Sequence, residues 1–371
     1  MIRLVARGAA VALAAALFGA AAADTPIPPK VAIGVELPLA GDDGWRGLAA
    51  RGAVDLAVAQ WNADRTAPMR VAIVFADSSE HIANPHEDEG TDNLAQGANG
   101  ARIVAGFVRN PRVVAVIGGL RQDIADAEAP TAARASIALL SQAATPVAPP
   151  AGKKSTLFRV TTTDETEGRL LATLGRADGY RSVAVDSRDP VRATAIAAAI
   201  GSLRARVATR SDATLFVGPS TRGCVLAPPV AAAALRADDL LRYMERRGYE
   251  PFRTTVAYTT IEPTLVLDPV RGPAFRAQYL AQTAQAPSTD ADAYYVATQV
   301  ALRAIADVVA SGAPMTRTNV VAAIRARTFA TVAGALKFTP AGGADRGCYA
   351  VTRIPPRGEI PAGVTRCAPA H

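Results

Sequence analysis

The sequence predicts an α/β protein of two lobes, each built on a parallel sheet with helices on both faces. Short runs of β-branched residues alternate with amphipathic helical segments, which is typical of parallel sheets. A chain of 371 residues is long enough for two such lobes. Proline-bearing tracts at 145–154 and 262–273 interrupt the alternation, and we interpret both as crossings between the lobes, with a third near 337–347.

The first residues have the pattern of an export signal. Basic residues precede an apolar run at 8–20, and small side chains follow it up to Ala23. The run is too short for a membrane anchor, which needs ~20 apolar residues to cross the hydrocarbon. No cysteine follows it closely, which disfavours a lipid anchor. We therefore expect cleavage after Ala23, removal of residues 1–23 and export to the periplasm.

Strands and helices are predicted in order along the rest of the chain. Apolar, β-branched runs predict seven strands, at 31–37, 71–75, 113–117, 137–140, 183–185, 214–217 and 255–258. Helical periodicity is clearest at 46–62 and 292–310, where apolar residues recur on one face. With the crossings, this order predicts lobe 1 at 28–147 and 270–337, and lobe 2 at 155–262 and 338–371.

Charge distribution and cysteine content argue against a nucleic-acid-binding protein and a zinc-binding protein. The formal net charge is +7, but the basic residues are dispersed and aromatic residues make up only 5%, so the clustered charge and stacking rings of a nucleic-acid surface are missing. Three cysteines without histidine partners make a poor zinc pattern. In an oxidising compartment Cys348 and Cys367 are candidates for a disulfide, because they flank a Pro/Gly-rich loop, and Cys224 would then be the odd thiol.

Signatures of catalysis are weak in this sequence. His371 is terminal, and His81 and His86 lie in a polar stretch that favours a solvated loop over a metal site. No G-x-S-x-G elbow accompanies these histidines, which disfavours a Ser-His-Asp triad. Residues 152–156 are similar to the end of a phosphate loop, but Lys154 occupies the Ser/Thr place. We therefore predict no catalytic residues, no metal, no cofactor and no enzyme activity.

Three segments, in order, resemble the leucine/isoleucine/valine-type periplasmic binding proteins of ABC importers. Residues 31–63 are similar to the family's opening strand, Gly-containing loop and helix ending in Asn. Residues 113–146 resemble its "V-I-G, loop, helix, strand, S-P-A-A-T" stretch, which is the most specific match. Residues 290–309 and 328–354 are similar to its penultimate helix and final inter-lobe strands, and 158–168 to the strand that enters the second lobe.

The resemblance implies two doubly wound parallel-sheet lobes, three crossover segments and a cleft that closes around an amino acid or similar ligand. In open α/β sheets, ligands lie at the carboxyl ends of strands, where N–H groups at helix starts attract an anion. Gly118 and Gly119 follow one strand, which predicts free N–H donors and close approach. The loop at 141–145, after the next strand, bears hydroxyl groups.

The resemblance also implies roles for particular residues of the first lobe. Thr145 would bind the ligand's carboxylate and ammonium, and Ala143 would offer its backbone carbonyl to the ammonium. Ala144 lies between them in the same ligand-binding loop. Trp45 stands where the family has an aromatic residue that packs on the ligand's side chain. Gln122 stands where a serine usually binds the carboxylate.

Departures from the family are concentrated in the second lobe. Pro190 stands where the family usually has a tyrosine, and the strand at 214–217 runs into a loop without the usual aromatic residue. Between Arg206 and Asp212 there is no room for the customary helix, so we predict a shortened second lobe that lacks one strand–helix unit. Glu262 is the candidate for the acidic residue that, in the family, binds the ammonium group of the ligand.

Together these features predict a monomeric solute-binding protein. It would capture a small amino-acid-like or carboxylate ligand for the membrane permease of an ABC importer. Two alternatives stay open: a ligand sensor whose closed form docks a receptor, and a degenerate scaffold of the same fold that binds no ligand.

Overall fold

The computed structural model describes residues 31–79, 89–143, 151–177, 179–180, 182–187, 190–202, 206–207, 213–217, 224–227, 257–354 and 364–369. The predicted export signal at 1–23 lies outside these residues, and so do His81, His86 and His371. Within the described part of the chain, no helix is long and apolar enough to cross a membrane.

Strands and helices alternate along most of the chain. The elements are β1 (Val31–Leu37), α1 (Gly44–Ala63), β2 (Val71–Asp77), α2 (Glu89–Arg109), β3 (Val113–Ile117), α3 (Gln122–Arg134), β4 (Ala138–Ser141), β5 (Leu157–Arg159), α4 (Asp164–Ala177), β6 (Ser182–Ser187), α5 (Pro190–Ser202), β7 (Arg206–Val207), β8 (Ala213–Val217), β9 (Cys224–Ala227), β10 (Ala257–Thr264), α6 (Arg271–Thr283), α7 (Thr289–Ala310), α8 (Arg317–Ala326), β11 (Phe329–Thr331), β12 (Gly334–Leu336), β13 (Arg346–Ile354) and β14 (Val364–Pro369).

The first sheet is parallel throughout and follows the order β2-β1-β3-β4-β5. One face packs on α1, α6, α7 and α8, and the other packs on α2 and α3. Strands β1, β3 and β4 are buried along their whole length. Burial on both faces explains why these strands are mainly apolar in the sequence rather than alternating, with Glu36 in β1 and Ser141 in β4 as buried polar residues. The predicted fold class is confirmed for this lobe.

The second sheet is mixed, in the order β14-β13-β10-β9-β8-β6-β7. Strands β7, β6 and β8 are parallel, whereas every pairing from β8 to β14 is antiparallel. The spacing explains the change, because only six residues separate Val217 from Cys224. A parallel crossover needs about a dozen residues or more, so β9 can join the sheet only in the opposite direction.

The first crossing differs from the sequence prediction. Strand β5 pairs in parallel with β4, so residues 157–159 belong to the first sheet and the chain leaves that sheet after Arg159. The proline tract at 145–154 therefore precedes the last strand of the first sheet and is not the crossing. The reason is burial, since the side chains of Leu157 and Phe158 extend the apolar first sheet.

The other two crossings lie at 265–270, between β10 and α6, and at 337–345, between β12 and β13. Near the third crossing, Cys348 on β13 and Cys367 on β14 stand opposite each other in the antiparallel pair, and a disulfide joins them. Cys224 lies in β9.

Candidate ligand-binding site

A group of charged and polar side chains lies at the carboxyl edge of the first sheet. It comprises Asp43 and Arg46 after β1, Arg121 after β3, Gln142 after β4 and Asp290 in the first turn of α7. We call these five residues the edge network. Parallel strands end at one edge of a sheet, so loops that are far apart in the sequence meet there.

Two arginines hold the edge network together. Nε and Nη2 of Arg46 donate to the two carboxylate oxygens of Asp290 at 3.2 and 2.9 Å, and its Nη1 donates to Asp43 at 3.1 Å. Nη1 of Arg121 donates to the other oxygen of Asp43 at 2.6 Å, and its Nε donates to Asp123 at 3.0 Å. The Asp43 carboxylate therefore joins two guanidinium groups, and Arg46 links α1 to α7.

Gln142 connects the edge network to the loop after β3 and to the first crossing. Its Nε2 donates to the carbonyl oxygen of Leu120 at 2.7 Å and to Oδ1 of Asp290 at 2.8 Å. Its own carbonyl oxygen accepts a hydrogen bond from Oγ1 of Thr161 at 2.9 Å. The network thus reaches the segment through which the chain leaves the first sheet.

Both arginines stand at helix starts, where the helix dipole disfavours a positive charge. Arg46 is in the first turn of α1, and Arg121 directly precedes α3. Burial lowers the pKa of Arg46, but the hydrogen bonds and charges of Asp290 and Asp43 outweigh it and place that pKa above its ordinary value. The hydrogen bond to Asp123 raises the pKa of Arg121 in spite of burial. Both guanidinium groups therefore stay charged.

Three of the residues predicted to bind ligand lie at this edge. Trp45, in the first turn of α1, is 64% exposed. Gln122 is the first residue of α3, and its Nε2 donates to Oδ1 of Asp126 at 2.7 Å. Ala143 is buried after β4, and its N–H donates to Oγ of Ser141 at 2.9 Å.

The remaining predicted residues are Ala144, Thr145 and Glu262. Ala144 and Thr145 lie outside the described residues. Glu262 lies in β10 of the second sheet, between Thr260 and Pro263, where the pairing with β13 shifts its register. The ligand roles of these three residues stay predictions.

The glycine loop after β3 differs from its sequence prediction. The N–H of Gly118 donates to the carbonyl oxygen of Leu140 at 3.2 Å, and the N–H of Gly119 donates to Oε2 of Glu36 at 3.1 Å. The prediction of free N–H donors in this loop is therefore wrong. Adjacent backbone and a buried acid use these donors, and Gly119 takes a φ of +62° to turn the chain there.

A pair of buried carboxyl groups lies behind this loop. Glu36 and Glu128 are both fully buried, and a Cβ atom at Gly118 would lie 2.8 Å from Oε2 of Glu36 and 3.1 Å from Oε2 of Glu128. Burial and the nearby Glu36 raise the pKa of Glu128 well above its ordinary value, which favours its neutral form. The hydroxyl of Tyr294 donates to the carbonyl oxygen of Gly118 at 2.9 Å and completes the support of the loop.

Sequence reasoning missed the edge network itself. Its signal was present, because the segments DDGWRG and GGLRQD each place an arginine at the start of a helix that follows a buried strand. A cation at a helix start is unfavourable unless acids compensate it, and Asp43 and Asp123 stand nearby in the same segments. Asp290, however, is 244 residues from Arg46, and no local pattern pairs them.

Comparison with known proteins gives matches to solved structures alone. No protein-family model matches the sequence, and no curated protein does. Among the similar structures is the leucine-binding protein of Thermotoga maritima, with 18% sequence identity, a TM-score of 0.56 and coverage of 90% of this chain and 98% of that one. A branched-chain amino acid substrate-binding protein of Streptococcus pneumoniae in complex with isoleucine has 16% identity, a TM-score of 0.56 and coverage of 91% and 100%.

A third similar structure binds a different kind of ligand. The solute-binding protein of an ABC transporter from R. palustris, solved with 4-hydroxybenzoate, has 15% identity, a TM-score of 0.57 and coverage of 91% of this chain and 96% of that one. At identities this low, the likeness establishes the architecture alone. That architecture is shared along almost the whole of each chain. The chain therefore has the two-lobed α/β fold of the substrate-binding proteins of ABC transporters, with the edge network at the carboxyl edge of its first sheet.

Proposed function

We propose that this protein is an exported solute-binding protein that captures a small amino acid or related carboxylate for an ABC importer. It acts by binding rather than by catalysis, and it hands its ligand to a membrane permease. The fold is shared with proteins that bind leucine, isoleucine and 4-hydroxybenzoate. The observation that carries the proposal is the edge network, with the exposed side chain of Trp45 beside it.

The chemistry of this edge suits a small charged molecule with an apolar part. Arg46 and Arg121 offer positive charge, while Asp43 and Asp290 offer negative charge within the same network. An amino acid carries both charges, and a simple carboxylate requires only the arginines. Exposed apolar surface at the start of α1, chiefly that of Trp45, supplies a face for an aliphatic side chain or a ring.

A thermal-shift screen of the mature protein against amino acids, amides and small aromatic acids tests the proposal. A ligand present at 100 times its Kd stabilises the folded protein by about 2.7 kcal/mol, which is readily measured. If no compound of these classes raised the melting temperature, the scaffold alternative would gain support, and the shortened second lobe would be its physical reason. A receptor-type sensor would bind the same ligand, so permease-dependent uptake separates sensor from importer.

Calorimetric titration of two variants with a hit from the screen locates the site. We expect Thr145→Val to weaken binding about ten- to hundred-fold, because a hydroxyl bonded to a charged group is removed while side-chain shape is kept. Trp45→Ala should weaken binding about two- to tenfold, because the apolar contact of the ring with the ligand is lost. Gln122→Ala should have a smaller effect than Thr145→Val.

The matched control is Leu280→Ala, which removes an exposed apolar side chain from α6, away from the edge network. It should leave the Kd unchanged. A parent-like Kd in both Thr145→Val and Trp45→Ala would move the ligand away from this edge, and the likeness to binding proteins would then hold for the fold alone.

A further inference from the structure

Two buried carboxyl groups lie against the loop that follows β3. They belong to Glu36 on β1 and Glu128 on α3, both fully buried, and we call them the acid pair. Oε2 of Glu36 and Oε2 of Glu128 lie 2.8 and 3.1 Å from the place that a Cβ atom would take at Gly118. Gly100 on α2 borders the pair as well, since a Cβ atom there would lie 2.8 Å from Oε1 of Glu128. Glycine at both positions therefore leaves the room that the two carboxyl groups occupy.

The acid pair lacks the partners that two ionised carboxyl groups require. Oε2 of Glu36 accepts the N–H of Gly119 at 3.1 Å, whereas its Oε1 and both carboxyl oxygens of Glu128 have no hydrogen-bond partner among the described residues. An ionised carboxyl group only accepts hydrogen bonds, so two neighbouring carboxylates repel each other, and one proton between them replaces the repulsion with a hydrogen bond. In agreement, burial and the charge of Glu36 raise the pKa of Glu128 well above its ordinary value.

The elements around the acid pair supply no cation to it. From α7 the phenol of Tyr294 faces the pair and donates to the carbonyl oxygen of Gly118 at 2.9 Å. The strands β1, β3 and β4 contain no titratable side chain other than that of Glu36. The charged side chains described on α2, on α3 and in the first turn of α7 bond elsewhere or are exposed. These are Arg102 and Arg109 on α2, Asp123, Asp126 and Arg134 on α3, and Asp290 and Asp292 on α7.

The loop after β3 joins the acid pair to the edge network. Its Gly119, whose N–H donates to Glu36, stands two residues before Arg121. Between them, the carbonyl oxygen of Leu120 accepts a hydrogen bond from Nε2 of Gln142 at 2.7 Å. The backbone that carries Arg121 is therefore held both by a member of the acid pair and by a member of the edge network.

Helix α7 makes a second connection between the acid pair and the edge network. Tyr294, which donates to the carbonyl oxygen of Gly118, lies one helical turn after Asp290. Asp290 in turn accepts hydrogen bonds from Arg46 and Gln142. The loop with Arg121 and the helix with Asp290 thus meet beside the pair, so a change in its charge acts on both.

We propose that the acid pair holds one proton and that this proton controls binding at the edge network. With the proton bound, the two carboxyl groups bond to each other and the loop keeps Arg121 and Gln122 in place. Loss of the proton leaves two negative charges behind the loop, which repel each other and also repel a carboxylate at the edge. Glu36 and Glu128 are thus positioning residues, and the affinity for a carboxylate falls as the pH rises. This control of binding rests on the proposed function, whereas the coupling of the pair to the loop does not.

NMR titration of the mature protein without ligand, from pH 5 to pH 9.5, tests the coupling. The reporters are the backbone nitrogen of Gly119 and Nε of Arg121. We expect both resonances to shift with one common midpoint above pH 5, because both respond to the same proton. Glu128→Gln keeps the shape of the side chain but cannot titrate, so the common midpoint should disappear.

The matched control is Asp55→Asn on α1. Burial also raises the pKa of Asp55, but this acid pairs with Arg51 and not with the loop after β3. The variant should keep the common midpoint of the parent.

Calorimetric titration with L-leucine and with 4-hydroxybenzoate, one pH unit below and one above the common midpoint, tests the control of binding. The carboxyl groups of both probes stay ionised at these pH values. We expect the Kd to rise about fivefold or more across the midpoint in the parent and in Asp55→Asn. In Glu128→Gln the Kd should stay at the value that the parent has below the midpoint.

Three NMR results would overturn the proposal. These are a parent without a common midpoint in this range, a midpoint that survives Glu128→Gln, and a shift of Gly119 that Arg121 does not share. A Kd that stays constant across the midpoint in the parent would overturn the control of binding and leave the coupling established. Failure of both probes to bind at either pH would count against the proposed function, and the NMR result, which needs no ligand, decides the coupling by itself.

Discussion

Each lobe contains a pair of fully buried carboxyl groups, and the two pairs have opposite surroundings. In the second lobe, the guanidinium of Arg192 on α5 is 1% exposed and binds Asp164 at 3.0 Å and also Glu167, both fully buried on α4. In the first lobe, Glu36 and Glu128 are equally buried, and among the described residues no basic side chain bonds to either. The pair in the second lobe is balanced by a cation, whereas burial and the nearby Glu36 favour the protonated form of Glu128 in the first lobe.

Three described arginines differ accordingly in their surroundings. Arg46 and Arg121 lie partly exposed at the edge of the first sheet. Arg192 is buried between α4 and α5, and its ion pairs with Asp164 and Glu167 join the two helices.

The largest expected effect comes from removing the cation of the second lobe. Arg192→Met removes the cation that pairs with the buried Asp164 and Glu167, so the free energy of unfolding should fall by about 3–5 kcal/mol. Urea unfolding followed by circular dichroism measures this loss. Arg176→Met, on the exposed last turn of α4, is the control and should cost less than about 1 kcal/mol.

Replacing all three charged residues tests the cause of that loss. If Arg192→Met is destabilising because two buried carboxylates lose the charge of Arg192, then adding Asp164→Asn and Glu167→Gln should recover much of the stability. No recovery would mean that Arg192 contributes through its packing. Both tryptophans, Trp45 and Trp61, lie in the first lobe, so their fluorescence reports whether unfolding spreads beyond the second lobe.

The next largest effect is a pH dependence in the first lobe. Burial and Glu36 raise the pKa of Glu128 in the folded state, so the folded protein holds this proton to higher pH than the unfolded chain does. The stabilisation that protonated Glu128 contributes is therefore fully present below pH 4.5, the pKa of this group in the unfolded chain. It is lost as the pH rises through the pKa of Glu128 in the folded protein. Glu128→Gln should match the parent at low pH and exceed it at high pH.

Urea midpoints measured from pH 4 to pH 9 check this expectation, with Asp42→Asn at an exposed position as the control. Parallel curves for Glu128→Gln and the parent would show that Glu128 titrates normally.

The smallest expected effect concerns Asp292, a buried acid near the start of α7. Burial raises the pKa of Asp292 from 3.8 to about 6, although its ion pair with Arg276 at 3.2 Å opposes the shift. The stabilisation that protonated Asp292 contributes is present below pH 3.8, the pKa of this group in the unfolded chain. It is lost as the pH rises through about 6, its pKa in the folded protein. Asp292→Asn should therefore be more stable than the parent by about 1–2 kcal/mol at pH 7.5 and equal to it near pH 3.5.

The same urea series measures the effect. Asp307→Asn on the same helix removes a partly exposed acid paired with Arg327 and should shift stability by less than about 1 kcal/mol. A lower stability of Asp292→Asn at pH 7.5 would show that the pair with Arg276 and the helix dipole outweigh burial.

The sequence by itself determined several elements of the first lobe. Strands at 31–37 and 113–117 were predicted to the residue, because a strand buried on both faces is mainly apolar along its length, and that signal is local. A shortened second lobe, inferred from spacings too short to hold a helix, stays a prediction, because residues 208–212 lie outside the described residues. The resemblance of 31–63 and 113–146 to a known family predicted that Trp45, Gln122 and Ala143 lie at the carboxyl edge of this sheet, which is where they lie.

Tertiary structure alone decided which groups meet. The N–H of Gly119 is occupied because Glu36, 83 residues earlier, is buried beside it. Arg46 is paired across 244 residues with Asp290, and β5 joins the first sheet because Leu157 and Phe158 are buried there. Periodicity specifies which residues turn inward, but it carries no information on the partner that a polar group finds across the sheet. That partner is fixed only when strand order and helix packing bring distant loops to one edge.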